Sequence, residues 1–166
     1  MKNIDNTKKF YITNSFFFEQ LINNYNPKKL YKFFFKKNQF ITDTIQYTYH
    51  YYIPIVLNNH WSLVKVNIKK KKISFYDSLN NTNRNIFIFK TLKPFFDDLL
   101  KSNEDWRLSV VNVPQQNNMF DCGIYMLQYL DILISKKYCN IEADSIPYYR
   151  IKIGIELIKG EKVLSS

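Results

Sequence analysis

The stretch Asp121-Cys122-Gly123-Ile124-Tyr125-Met126-Leu127-Gln128-Tyr129-Leu130-Asp131-Ile132-Leu133-Ile134-Ser135 decides the fold. It is apolar on nearly every side, the pattern of a helix buried in the middle of a domain, and Lys136 and Lys137 follow where cations suit the helix dipole. The polar amides of Gln115-Gln116-Asn117-Asn118, with Met119 and Phe120, form a shaped loop that runs straight into it. Cys122 therefore stands in the first turn of a helix, among exposed backbone N–H groups at the positive end of the dipole. That setting favours a thiolate, and Gly123 removes a side chain where a substrate carbonyl has to approach. Taken alone, a lone cysteine is more commonly a small buried hydrophobe.

Outward from this helix the pattern is α+β. Short apolar runs predict strands over 51–57, 61–68 and 73–76, the first two joined at Asn58-Asn59. Lys69 to Lys72 read as a hairpin turn centred on Lys70-Lys71; a nucleic-acid patch is the alternative reading of four lysines, and solvated turn residues are the simpler one. A loop at 80–85, an amphipathic helix over 86–100 and a strand over 106–113 closed by Pro114 complete the middle of the chain. Before it, helices are expected from Phe16 to a break at Asn26-Pro27 and again over 28–40. After it, Pro147 suits the first turn of a last helix through Ile158.

Three residues change the meaning of Cys122. His60 begins one strand of the predicted hairpin and Asp77 ends the next, so a carboxylate can orient an imidazole at one edge of the sheet. A two-residue turn at Lys70-Lys71 leaves the pair out of direct register, so contact requires a bend or an offset. Base, orienting carboxylate and helix-starting thiol are the three roles of nucleophilic acyl transfer. Gln116, six residues before the thiol, can loop back as an oxyanion donor alongside the Cys122 N–H. Trp106 reads as core, and Cys139 as inert.

Length and composition narrow the alternatives. The 166 residues suit one domain, and 14 Phe, 13 Tyr and 2 Trp in a chain that is 46% hydrophobic exclude disorder. Two cysteines are too few for a disulfide framework. The lack of a long apolar run or a leader-like start points to a soluble intracellular protein, expected in the nucleus or cytoplasm with the nucleus favoured. The +10 charge could track a phosphate backbone or an acidic protein. The Lys and Asn abundance also fits AT-rich codon bias, so the charge is discounted. No metal or cofactor, no obligate nucleic acid and no membrane is expected, and the chain is expected to act as a monomer.

His60-Trp61, Tyr76-Asp77-Ser78, Pro114-Gln115-Gln116-Asn117 and Asp121-Cys122-Gly123, in this order and spacing, resemble the Ulp/sentrin-specific cysteine proteases that act on SUMO-like modifiers. Ile146-Pro147-Tyr148-Tyr149-Arg150 before Glu156-Leu157 resembles the last helix of the same family. The resemblance implies an adenain-like, papain-related α+β fold, with a mixed central sheet packed against the nucleophile helix. It assigns His60 as general base, Asp77 as its orienting acid, Cys122 as nucleophile and Gln116 as oxyanion-hole residue. It also puts Trp61 over a tunnel for a Gly-Gly tail, although a core Trp on an alternating strand fits as well, with Gln115, Asn117 and Gly123 at the substrate. The implied reaction is cleavage after the C-terminal Gly-Gly of a SUMO-like modifier or its lysine-linked conjugates. The basic surface would suit the acidic face of such a modifier. A NEDD8-directed or viral precursor-processing protease shares the same chemistry, and a non-catalytic nucleic-acid or ubiquitin-like binder belongs to another class. The family's N-terminal Trp-Leu-Asn-Asp helix has no counterpart before Phe10, so the expectation is a single domain over 1–166 without it.

Overall fold

The computed structural model describes residues 10–23, 30, 50–101, 103, 105–137 and 141–160. The helix expected over 28–40, apart from buried Leu30, and Cys139 lie outside the described residues. At the centre is a mixed sheet whose described strands run β1 (Phe10–Ile12), β2 (His50–Leu57), β3 (His60–Asn67), β4 (Lys72–Tyr76) and β5 (Arg107–Val110), adjacent in that order. The β2–β3–β4 meander is antiparallel, and β1 and β5 join its two edges in parallel. The three-residue β1 carries too little sequence pattern to be expected, and its pairing with β2 defines it.

Alternation along the strands sorts two cores. Tyr51, Ile53 and Ile55 of β2, Val64 and Val66 of β3, and Ile73 and Phe75 of β4 face one side. There they meet Phe17, Phe18 and Leu21 of α1 (Phe16–Asn23) and Ile88, Leu92, Phe95, Phe96 and Leu99 of α2 (Thr82–Leu100). The α2 residues recur at helical spacing, and each fully buried side chain of this size stabilises by roughly 1.5–3 kcal/mol. Phe95 sits edge-on to both Phe17 and Phe96, with centroids 5.2 and 5.3 Å away. Trp106 completes this core, as expected, with its indole N–H donated to Asp97 at 2.8 Å. Tyr52 and Leu63 face the other way, against Tyr125, Met126 and Tyr129 of α3 (Cys122–Ser135) and Ile146 at the start of α4 (Ile146–Lys159).

Four local expectations are corrected. First, α3 is not enclosed on all sides: Leu127 is exposed and Ile132 to Ile134 are half-buried, because the helix lies on one face of the sheet rather than between two layers. Second, α2 begins at Thr82, inside the segment read as loop, because Asn81 caps it and accepts the Arg84 N–H at 2.9 Å. Third, β5 ends at Val110. Val111 N–H still reaches Phe75 O at 2.9 Å, but the chain then swings so that Gln116 N–H bonds Ser78 O at 3.0 Å.

The fourth concerns register. Asn58 and Asn59 both take positive φ, 53° and 57°, the signature of a two-residue primed hairpin turn that fixes His60 at the head of β3. The β3–β4 connection is longer than expected: Asn67 pairs with Lys72, and 68–71 form a four-residue loop with Lys71 at φ 46°. This moves the register by two residues from that of a turn confined to Lys70-Lys71. Extended one step at a time from the Leu63–Tyr76 pair, the ladder sets His60 opposite Leu79, and Asp77 becomes its diagonal neighbour on the same face.

Candidate active site

His60 is buried at the head of β3 and Asp77 at the exit of β4. The diagonal relation brings His60 Nε2 within 2.7 Å of Asp77 Oδ1. The second carboxylate oxygen receives the Arg84 guanidinium at 2.9 Å, from the first turn of α2, and the Leu79 backbone N–H bonds Oδ1 at 3.0 Å. Burial pushes the Asp77 carboxyl up. The His60 hydrogen bond, the Leu79 N–H and the His60 and Arg84 charges outweigh that and hold it at about 2, below the ordinary 3.8. An ionised carboxylate only accepts, so Nε2 carries the proton in this bond and Nδ1 is the nitrogen left to exchange one in the neutral ring.

Cys122 is buried, unpaired, and the first residue of α3. Trp61, next to His60 on β3, connects the two elements: a methyl group built on Gly123 would lie 3.5 Å from Trp61 Cδ1, an ordinary contact distance. The space left by the missing Gly123 side chain is thus bounded by the indole. The Cys122 and Gly123 N–H groups belong to the first turn, which has no intrahelical acceptor for them.

The loop before Cys122 is tied to the end of β4 and to α3. Gln116 is buried, with Oε1 accepting from Ser78 Oγ at 2.5 Å and Nε2 donating to Asn118 O at 2.5 Å. Gln115, expected at the substrate, donates its side-chain N–H groups to Asp77 O at 3.1 Å and Val113 O at 2.8 Å, so its amide braces the loop and only Oε1 is left to meet another molecule. Asn117 is exposed at the loop's outer side. Tyr129 and Tyr125 of α3 donate their hydroxyls to Pro114 O at 2.6 Å and Gln115 O at 3.4 Å. Burial pushes both phenols up, keeping them neutral donors.

Four contributors were given no role by the motif reading, although Ser78 and Arg150 lie within its motifs. Arg84 clamps Asp77, and the Asn-rich run before it is an N-cap signal. Ser78 holds Gln116. Asn118 accepts the Phe120 and Asp121 N–H groups at 3.1 and 3.0 Å, the self-bonding turn habit of asparagine. Arg150 of α4 donates Nε to Asp121 at 2.9 Å, adds an Nη2 contact to the same oxygen and reaches Phe120 O at 3.1 Å. Among the described residues no group of His, Cys, Asp and Glu is arranged to hold a metal ion, and no helix is long and apolar enough to cross a membrane.

Residues 2–160 match the model of the Ulp1 protease family, C-terminal catalytic domain. The chain belongs to the Ulp1 protease family. Ubiquitin-like-specific protease 1A of Arabidopsis thaliana is 27% identical over 164 residues, covering 91% of this chain and 32% of that protein. Human sentrin-specific protease 5 is 30% identical over 159 residues, covering 90% of this chain and 20% of that protein. The chain thus spans a third or less of the length of these two relatives. Among solved structures, the C-terminal Ulp1 protease domain in complex with Smt3, the yeast ortholog of SUMO, superposes with a TM-score of 0.78 at 25% identity, over 92% of this chain and 69% of that one. The SUMO protease Ulp1 with its catalytic cysteine oxidised to a sulfonic acid gives 0.79 at 26% identity, over 93% and 71%. The mixed sheet with its helix-borne cysteine is therefore the Ulp1-type α+β fold expected from the motifs.

Proposed function

We propose that this chain is a thiol peptidase that cleaves after the C-terminal Gly-Gly of a SUMO-like modifier, releasing it from lysine-linked conjugates or maturing its precursor. One observation carries the reading: a buried imidazole held at 2.7 Å by an ionised carboxylate, on a strand whose next residue packs against the helix turn that begins with the cysteine. Asp77 takes the Nε2 proton side of His60 and leaves Nδ1 to accept the Cys122 proton. The thiolate attacks the glycine carbonyl, forming a C–S bond. The oxyanion is met by the Cys122 N–H and the Gln116 amide, whose Nε2 has a second proton beyond the one given to Asn118. The imidazolium then gives its proton to the departing lysine amine as the C–N bond breaks. Water, deprotonated by His60, hydrolyses the thioester and the proton returns to the thiol. In this reading Trp61, Gly123, Gln115 and Asn117 contact the substrate, which the indole bounding the space at Gly123 supports. The names of the Smt3-bound neighbour and the sentrin-specific relatives support the choice of modifier.

The test uses SUMO, NEDD8 and ubiquitin carrying a thiol-reactive group in place of the terminal carboxylate. A SUMO adduct in the wild type that is absent in Cys122→Ala is expected. An adduct with NEDD8 alone would redirect the substrate, and no adduct with a folded protein would sink the reading.

A further inference from the structure

Ser78 is 1% exposed and follows the orienting aspartate directly. Its hydroxyl donates to Gln116 Oε1 at 2.5 Å, and its carbonyl accepts the Gln116 backbone N–H at 3.0 Å, so one serine grips the glutamine at both side chain and backbone. The other end of the amide identifies its atoms. Asn118 O lies 2.5 Å away and can only accept, which makes the atom beside it Nε2 and turns Oε1 toward Ser78. A planar group pinned at both ends has the direction of its remaining N–H set by the plane. Without the Ser78 hydroxyl, Oε1 would be a buried acceptor lacking that partner, which penalises this orientation. A donor on Oε1 also polarises the amide and strengthens donation from Nε2.

We propose, on the footing of the peptidase reading above, that Ser78 is a positioning residue for the oxyanion hole, holding Gln116 so that its second Nε2–H points to the developing oxyanion. The consecutive residues Asp77 and Ser78 then divide the catalytic work. Asp77 aims the base and Ser78 aims the anion donor, and Gln115 ties the loop to the same dipeptide through Asp77 O at 3.1 Å.

Two reactions of Cys122 separate these arms. Hydrolysis of a fluorogenic SUMO-diglycine amide passes through an oxyanion, whereas alkylation by iodoacetamide uses the thiolate and imidazole alone. Ser78→Ala is expected to lower kcat about 10–100-fold, a part of what losing a whole donor costs. KM should stay within about threefold, and the alkylation rate and its pH profile within about twofold. Ser78→Thr should recover most of kcat, and Ser78→Val, which has the branched shape of threonine without the hydroxyl, should not. In a Gln116→Ala background the serine substitution should add less than about threefold. Wild-type kcat in the Ala and Val variants, a full extra loss in the Gln116→Ala background, or alkylation falling in step with kcat would each overturn the role of Ser78. Should the Ala and Val variants fail to fold, side-chain amide spectra of the wild type decide. Gln116 Nε2 protons that exchange with solvent far more slowly than those of an exposed glutamine are expected, and exchange at the exposed-glutamine rate overturns the proposal. A folded wild type that hydrolyses no diglycine amide overturns the peptidase reading itself, and the serine's role with it.

Discussion

Asp77 and Asp121 are both buried aspartates with an arginine on the carboxylate, and they differ in what else they hold. Asp77 receives Arg84 from the first turn of α2 and has an imidazole on its other oxygen. Asp121 receives Arg150 from α4 and the Asn118 amide at 2.6 Å, and so is surrounded by groups that shape a loop. Both carboxyls lie below the ordinary range. Burial pushes each up, and it is outweighed by His60, the Leu79 N–H and Arg84 at the first, and by Asn118 and Arg150 at the second. Two sites of similar electrostatics thus serve different ends. A low carboxylate pKa marks an ion-pair network, and the partner on the oxygen opposite the arginine tells whether that network faces chemistry.

The comparison is broken most directly at Asp77. Asp77→Ala removes the group that fixes the His60 tautomer and is expected to lower kcat by about 10²–10⁴ in diglycine-amide hydrolysis with KM little changed. Asp77→Asn, which keeps an acceptor, should lose less. A loss under tenfold for the alanine variant would mean that the 2.7 Å contact is structural only. Next in size is Arg84→Met. The folded-state carboxyl lies at about 2 against 3.8, so the stabilisation from Asp77 is complete above the higher value and is lost as pH falls toward the lower one. Removing the guanidinium lets the carboxyl rise, so the acid-unfolding midpoint followed by circular dichroism should move to higher pH, with kcat at neutral pH changed less than about threefold. The smallest catalytic effect is expected at Arg150→Ala. Its side chain is 45% exposed, which weakens the pair. A loss of about 1–2 kcal/mol, several degrees in a thermal melt, should come with less than a tenfold change in kcat. An Arg150→Ala variant that kept its melting point and lost its activity would make the Asp121 network catalytic after all.

What was legible in the sequence was the part written locally. Cys122 at a helix start, the β2–β3 turn at Asn58-Asn59 and the apolar runs of the three meander strands each need only neighbouring residues. The pairing of His60 with Asp77 was legible in kind, but its register was not, because a run of four lysines says little about where a turn is centred. The four-residue loop with Lys71 in the left-handed region halves the misalignment. Arg84 and Arg150 act on aspartates 7 and 29 residues away, contacts set by how helices dock on the sheet rather than by spacing along the chain. Gln115 shows the reverse: a polar loop residue beside a glutamine of the site invites a substrate role, yet its amide is bound to backbone carbonyls.

The two tyrosine hydroxyls of α3 have a bearing on how the molecule comes together. Tyr125 and Tyr129 hold backbone carbonyls only 10 and 15 residues earlier in the chain, so the cysteine helix and the loop entering it close a short ring with little loop entropy to overcome. Such a segment opens as one cooperative unit. In native-state hydrogen exchange, the amides around Gln116 and those in the first turns of α3 should therefore share one opening free energy. If the loop exchanged far ahead of the helix, the hydroxyl bonds would not join them.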